Sequence, residues 1–138
     1  MSNREITNNM SELNSAGAHA TYYETDIRDF SMVQTAMADI RNTHGPIAGI
    51  IHGAGVLEDR LSVDKTLDHC ERVFDTKVKG LENLLATTAQ DPLKYLVLFS
   101  SVAARMGNRG QADYAMANDV VGRVAAAEAR RRDGSCLV

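Results

Sequence analysis

The sequence contains no tryptophan, and tyrosine and phenylalanine together make up only 5% of it. A hydrophobic core must therefore be built mainly from alanine, valine, leucine, isoleucine and methionine. The length of 138 residues fits one ordinary domain, which buries roughly two-thirds of the surface of its unfolded chain. The apolar share of 44% and the charged share of 24% exclude a long disordered chain and a collagen-like chain.

Other absences narrow the class of protein. The only cysteines, Cys70 and Cys136, fit neither a disulfide framework nor a metal site, so we expect a reducing cytoplasm and no metal. No apolar run reaches the roughly 18 residues of a membrane-spanning helix, and the first ten residues lack the apolar stretch of a signal peptide. The net charge of -3 disfavours a nucleic-acid partner.

Apolar periodicity and turn residues predict an alternation of helices and strands. The predicted helices cover residues 3–15, 31–42 (with Ser31 as N-cap), 66–88 and 112–131, and the predicted strands cover 18–24, 47–52, 93–99 and 135–138. This order is typical of an α/β fold with a parallel sheet. Ligands bind such sheets beyond the carboxyl ends of the strands, which directs attention to loops 25–29, 53–61 and 100–113.

Polar side chains capable of proton transfer follow the third predicted strand. Ser101 ends this strand, Tyr114 follows near the start of the last helix, Asn118 lies one helical turn further on, and Lys77 lies in the preceding long helix. A phenol can give a proton to a developing alkoxide, a nearby ammonium stabilises the phenoxide, and a serine can hold a carbonyl oxygen. Alternatively, the serine is a strand cap, the tyrosine packs and the lysine is solvated.

The segment FSSVAARMGNRGQADYAMAN, residues 99–118, resembles the ketoreductase domains of polyketide and polyunsaturated-fatty-acid synthases, within the short-chain dehydrogenase/reductase superfamily. The resemblance implies that Ser101 and Tyr114 are catalytic. It also implies catalytic roles for Asn118 and for Lys77, in the string DTKVKGLENLL. Lys77 is preferred over Lys79 because it fits the K-x-x-G frame of the family.

The segment IAGIIHGAGVLEDRLSVDKT resembles the strand and loop that lie along NADPH in these ketoreductases. The resemblance implies cofactor contacts at Gly53, Ala54, Gly55 and Ser100, and we expect His52 to be a structural hydrogen-bonding residue. Glycines at this position let a backbone approach a ligand. The string Leu-Glu-Asp at 57–59 resembles a signature of alcohol stereochemistry, or is simply a solvated acidic loop.

The segment YETDIRD, residues 23–29, resembles the family's adenine-binding stretch. The resemblance implies that Asp26 accepts a hydrogen bond from the adenine amino group and that Ile27 lines the adenine slot. The alternative is a plain turn with an aspartate cap.

The sequence contains neither G-x-G-x-x-G nor T-G-G-x-x-G, the turn that binds pyrophosphate in dinucleotide folds. The resemblance therefore implies a single domain, residues 1–138, with a partial Rossmann-like three-layer fold. Its mostly parallel sheet would have about four strands and lack the first two family strands, which leaves a gap in the family order 3-2-1-4-5-6. The flanking strands could pair, another chain could fill the gap, or the N-terminal strand could detach. We expect an open edge covered by self-association.

The resemblance implies NADPH-dependent reduction of a β-ketoacyl thioester carried by an acyl carrier protein. The chain would act as part of a larger ketoreductase domain, next to other domains of a synthase, in the cytoplasm. The alternative is a non-catalytic half-domain or interaction module that needs a partner to complete the fold.

Overall fold

A computed structural model describes residues 3–132 and 134–136 of the chain. Helices alternate with two short strands. In chain order the elements are α1 (Asn3–Ser15), α2 (Phe30–His44), β1 (Gly49–His52), a 3-10 turn (Ser62–Asp64), α3 (Leu67–Phe74), a π-helical turn (Asp75–Lys79), α4 (Gly80–Thr87), β2 (Tyr95–Leu98), α5 (Ala103–Met106) and α6 (Ala112–Arg132). Within the described residues, no helix is long and apolar enough to cross a membrane.

The two strands form a parallel sheet, with Ile50 opposite Leu96 and His52 opposite Leu98. The Phe99 amide donates to the His52 carbonyl at 3.0 Å, which carries the pairing one residue beyond β2. A parallel pair needs a crossover connection, and here α3, the π-helical turn and α4 provide it. The predicted parallel α/β arrangement is confirmed.

One face of the sheet carries the hydrophobic core. Ile50 and Leu96 are 7% and 1% exposed, and they pack in one cluster with Val33 of α2 and Leu84 of α4. Side chains alternate between the two faces of a strand, so the other face is occupied by different residues. The helices α2 and α4 therefore cover this face of the sheet.

The second face of the sheet is exposed and apolar. Ile51 is 67% exposed, Tyr95 45% and Val97 42%. Across the part of the chain that the structure describes, no helix covers these side chains, and α1 is itself exposed over most of its length. The expected three layers are thus reduced to two.

The sheet has two of the four expected strands in the described residues. Residues 18–24, predicted as a strand, lie along the protein without strand pairing, and the Tyr23 hydroxyl donates instead to Asp39 of α2 at 2.6 Å. A strand requires a hydrogen-bonded neighbour, and this segment has none among the described residues. The prediction for 135–138 is wrong at Ser135 and Cys136, which both lie in a bend, while positions 137 and 138 lie outside the described residues.

Helices α1 and α6 confirm their predictions, and the other helices show local differences. Asp29, not Ser31, caps α2: its Oδ1 accepts from the Ser31 and Met32 amides at 2.8 and 3.1 Å. A carboxylate at a helix N-terminus also complements the helix dipole. The predicted helix 66–88 is divided by the π-helical turn, and the predicted loop 100–113 contains α5.

A partly buried ion pair joins three segments of the chain at the amino end of the sheet. The Arg41 side chain of α2 donates from Nε to Asp91 Oδ1 at 3.1 Å and from Nη2 to Asp91 Oδ2 at 2.5 Å. Asp91 Oδ1 also accepts from the Ile47 amide at 3.1 Å. Arg41 Nη2 reaches the Thr87 carbonyl at the end of α4 as well. The guanidinium and carboxylate fix the start of β1 relative to both helices.

Candidate active site at the carboxyl end of the sheet

Lys77 is positioned by the π-helical turn. It is 4% exposed, and its Nζ donates to the Ala54 carbonyl at 3.3 Å. Among the described residues no carboxylate forms a salt bridge with it. Burial lowers the pKa of the Lys77 ammonium, because removal from water disfavours the charged form. π-helical turns inside α-helices occur frequently at functional sites.

His52, at the end of β1, forms a hydrogen bond to the same π-helical turn. It is 1% exposed, and its Nε2 lies 2.8 Å from the Lys77 carbonyl oxygen. Since a carbonyl only accepts, Nε2 carries the proton and Nδ1 does not; Nδ1 is buried without a hydrogen-bond partner. Burial lowers the pKa of His52 and keeps the ring neutral. The expectation of a structural hydrogen-bonding histidine is confirmed.

Ser100, Asn118 and Tyr114 are joined by hydrogen bonds. Ser100 Oγ donates to the Asn118 carbonyl at 3.0 Å, and Asn118 Nδ2 donates to the Tyr114 carbonyl at 2.7 Å. Asn118 is fully buried, and its Oδ1 has no partner. A buried acceptor without a hydrogen-bond partner is costly, so a donor that reaches Asn118 Oδ1 would be bound favourably.

Ser101 has a local partner. Its Oγ accepts from the Ala103 amide at 3.2 Å, at the start of α5. The Ser101 hydroxyl keeps its own proton for donation. Among the described residues no hydrogen bond joins the Tyr114 hydroxyl to Ser101 or Lys77. The structure therefore places these side chains on elements that pack together, without direct bonds between them.

The loop after β1 leaves its backbone accessible. Gly53 and Gly55 are exposed and neither has a positive φ. A Cβ added at Gly55 would lie 3.7 Å from Lys77 Nζ, and one at Gly53 would lie 3.7 Å from the Phe99 ring. Both are ordinary contact distances, so the chain's own atoms do not require glycine here. The accessible peptide groups fit the close approach of a ligand.

The predicted adenine-binding pair lies in a turn before α2. Arg28 donates to both oxygens of Asp26, from Nε at 3.0 Å and from Nη2 at 2.7 Å. These hydrogen bonds lower the pKa of Asp26 to about 2. Ile27 packs against Gly80, where a Cβ would lie 2.9 Å from Ile27 Cγ2. The carboxylate is exposed, so it can accept further hydrogen bonds.

Sequence reasoning missed three polar residues near these groups. Asn83, which is 5% exposed, donates to the Ile27 carbonyl at 2.9 Å and so fixes the turn. In the sequence, Asn83 is recognisable as a polar amide side chain within the apolar run of α4. Lys65 and Asp113 form a buried ion pair at 2.8 Å. No sequence signal predicts that these two charges meet, because 48 positions separate them.

The parallel strands and the helices that pack on them have the fold of a short-chain dehydrogenase/reductase. The structure superposes on a Serratia marcescens short-chain dehydrogenase/reductase with a TM-score of 0.86, covering 98% of this chain and 56% of that one at 20% identity. At that identity the likeness supports the fold alone. The model of the KR domain family matches residues 1–138, and the chain belongs to the ketoreductase domain family.

Relatives and solved structures agree with this assignment. The chain is 40% identical to a polyunsaturated fatty acid synthase of Thraustochytrium over 122 residues, which is 88% of this chain and 4% of that protein. It is 39% identical to polyketide synthase PksL of Bacillus subtilis, over 77% of this chain and 2% of that protein. A ketoreductase of the macrolactin assembly line superposes with a TM-score of 0.85 at 33% identity, covering 94% of this chain and 27% of that one.

The chain thus spans a small fraction of these synthases and about a third or less of the solved ketoreductase chains. The predicted family, the parallel α/β class and the partial Rossmann-like fold are confirmed. The roles of individual residues stay predictions.

Proposed function

We propose that residues 1–138 are the central and C-terminal part of a ketoreductase domain that reduces a β-ketoacyl thioester to a β-hydroxyacyl thioester. The substrate is carried by an acyl carrier protein, and the domain works beside other domains of a synthase in the cytoplasm. The observation that carries the proposal is the Lys77 ammonium, which is buried without a carboxylate partner at the carboxyl end of a parallel sheet. Burying such a charge is costly and is typical of functional sites.

The roles of the chain's own residues follow from their chemistry. Tyr114 donates its phenolic proton to the developing alkoxide, and the Ser101 hydroxyl donates a hydrogen bond to the carbonyl oxygen. Lys77 stabilises the phenoxide electrostatically. Asn118 helps to organise a proton path, because its Oδ1 is buried, lacks a partner among the chain's described atoms and can accept a hydrogen bond from a proton-carrying group. Bound NADPH supplies the hydride.

Residues near the ends of the strands fit the cofactor. The backbone at Gly53, Ala54 and Gly55 and the Ser100 side chain would hold part of the cofactor. Asp26 would accept a hydrogen bond from the adenine amino group, and Ile27 would line the adenine slot. Support for this arrangement comes from the accessible backbone after β1 and from the packing of Ile27 against Gly80.

A second function is favoured by the exposed face of the sheet. Ile51, Tyr95 and Val97 form an apolar surface, and no further strand pairs with either edge of the two-stranded sheet within residues 3–132 and 134–136. Such a surface favours a non-catalytic half-domain that binds a partner or a second copy of itself. An Ile51→Lys variant should then lower the concentration-dependent increase in mass seen by analytical ultracentrifugation.

Titration with NADPH, followed by nicotinamide fluorescence, separates the two functions. Micromolar binding by the chain supports the reductase site. No binding at millimolar NADPH supports the interaction module.

Matched variants that test the role of Lys77 lie in one turn. Lys77→Met removes the buried ammonium and should abolish ketone reduction by the domain that carries this chain, whereas Lys79→Met removes an exposed ammonium from the same π-helical turn and should leave the reduction unchanged. Equal effects of the two variants would refute the role of Lys77.

A further inference from the structure

A buried ion pair that the proposed reaction does not use lies next to Tyr114. Lys65 Nζ is 2.8 Å from Asp113 Oδ2, and the two side chains are only 5% and 2% exposed. Lys65 Nζ also donates to the Glu58 carbonyl at 2.7 Å, and Asp113 Oδ1 accepts from the Tyr114 amide at 2.9 Å. Both charged groups thus have a second polar partner, and each partner belongs to a different element.

The ion pair connects the segment between β1 and α3 to the first turn of α6, at the carboxyl end of the sheet. Glu58 lies in the loop after β1, and Asp113 lies in the first turn of α6, directly before Tyr114. The Arg60 amide donates to the Gly110 carbonyl at 3.0 Å, and Gln111 Nε2 donates to Asp59 at 2.8 Å. These two hydrogen bonds join exposed or half-buried residues, whereas both side chains of the ion pair are buried. The ion pair is therefore the anchor of this junction.

Burial of two charges is a poor way to gain stability. The desolvation cost of a buried ion pair often exceeds its attraction, and apolar replacements of similar volume are often neutral or stabilising. In some proteins a buried polar or ionic group fixes one particular arrangement of the chain. Here the arrangement is the position of the loop 57–61 relative to the first turn of α6.

We propose that Lys65 and Asp113 are positioning residues that lock the loop 57–61 to the helix carrying Tyr114. The pair sets the distance between the substrate side of that loop and the phenol. The relevance to catalysis rests on the proposed ketone reduction. The lock itself is a property of this chain and can be measured without any substrate.

The variants separate positioning from simple stability. Lys65→Met and Asp113→Leu each leave one buried charged group without its ion-pair partner and should lower the melting temperature. The double variant Lys65→Met/Asp113→Leu replaces both by apolar groups of similar size and should recover at least half of that loss. Asp119→Asn is the matched control, since Asp119 pairs with Arg123 on the same helix with both side chains exposed.

The first readout is amide hydrogen exchange at Arg60, measured by NMR on the 138-residue chain. This amide reports the junction because its bond to the Gly110 carbonyl crosses between the two loops. We expect exchange at least tenfold faster in both single variants and in the double variant, with no change in Asp119→Asn. Wild-type exchange in the double variant would show that the pair serves stability alone and would overturn the proposal.

The second readout is steady-state reduction of a short β-ketoacyl thioester by the ketoreductase domain that carries this chain. We expect the double variant to lower kcat at least tenfold and to leave the KM for NADPH unchanged. Unchanged kcat in a folded double variant would overturn the proposal. A wild-type domain that reduces no thioester refutes the proposed function, and the lock between the loop 57–61 and α6 then stands or falls on Arg60 exchange.

Discussion

Replacement of Lys77 by methionine should stabilise the fold while it removes function. Lys77 is only 4% exposed, and the hydrogen bond from its Nζ to the Ala54 carbonyl is long, at 3.3 Å. Methionine keeps the apolar stem and removes the charge. Because an unpaired buried charge is costly, we expect the free energy of unfolding to rise by about 1 kcal/mol. For a domain of this size that corresponds to roughly 3–5 °C in melting temperature.

The pH dependence of this effect has a definite sign. The pKa of Lys77 is lowered by burial from its ordinary value of 10.5, so between the two values the unfolded chain binds more protons than the folded one. The wild-type penalty is therefore complete below the folded pKa and disappears as the pH rises to 10.5. The stability gap between Lys77→Met and wild type should narrow over that range.

Urea denaturation followed by circular dichroism measures this gap, with Lys79→Met as the control. Lys79 lies in the same π-helical turn but is exposed, so its replacement should change stability by less than about 0.5 kcal/mol. A Lys77→Met chain that is less stable than wild type at neutral pH would refute the reasoning. The same result would show that the ammonium is a structural group.

Three further predictions concern the framework of the site. Asp91→Ala should lower the free energy of unfolding by about 1–3 kcal/mol in urea denaturation, because it removes the carboxylate that accepts from the Arg41 side chain and from the Ile47 backbone amide. Burial lowers the pKa of His52 from its ordinary value of 6.5, so the contribution of His52 to the free energy of unfolding should be complete above pH 6.5 and fall at lower pH. His52→Gln should reduce this loss, measured as the melting temperature at several pH values. Gly80→Ala, whose Cβ would meet Ile27, should lower the melting temperature, whereas Gly122→Ala, with no atom within 4 Å, should raise it; equal shifts would contradict the packing.

The sequence was informative where local patterns determine structure. The apolar spacing predicted α1 over residues 3–15 and placed the end of α6 within one residue. The buried run that became β1 was recognisable because parallel strands are apolar on both faces. The strand predicted at 18–24 did not form in the described residues, since a strand depends on a neighbour that no local pattern supplies.

The candidate site was predictable in its residue types and not in its contacts. Ser101, Tyr114, Lys77 and Asn118 were selected by their spacing and by resemblance. The π-helical turn that buries Lys77 was not predictable, because it inserts into an apolar pattern that reads as one continuous helix. The hydrogen bond from His52 to that turn joins residues 25 positions apart and leaves no periodic signal.

The role of Tyr114 is tested most directly by ketone reduction with a Tyr114→Phe variant of the domain that carries this chain. The change removes one hydroxyl and keeps the ring. We predict that kcat for a β-ketoacyl thioester falls by about 100- to 10,000-fold. Tyr22→Phe, which removes a hydroxyl from a side chain that is 50% exposed, should leave kcat unchanged. Full activity of Tyr114→Phe would contradict the assignment of this site as the proton donor.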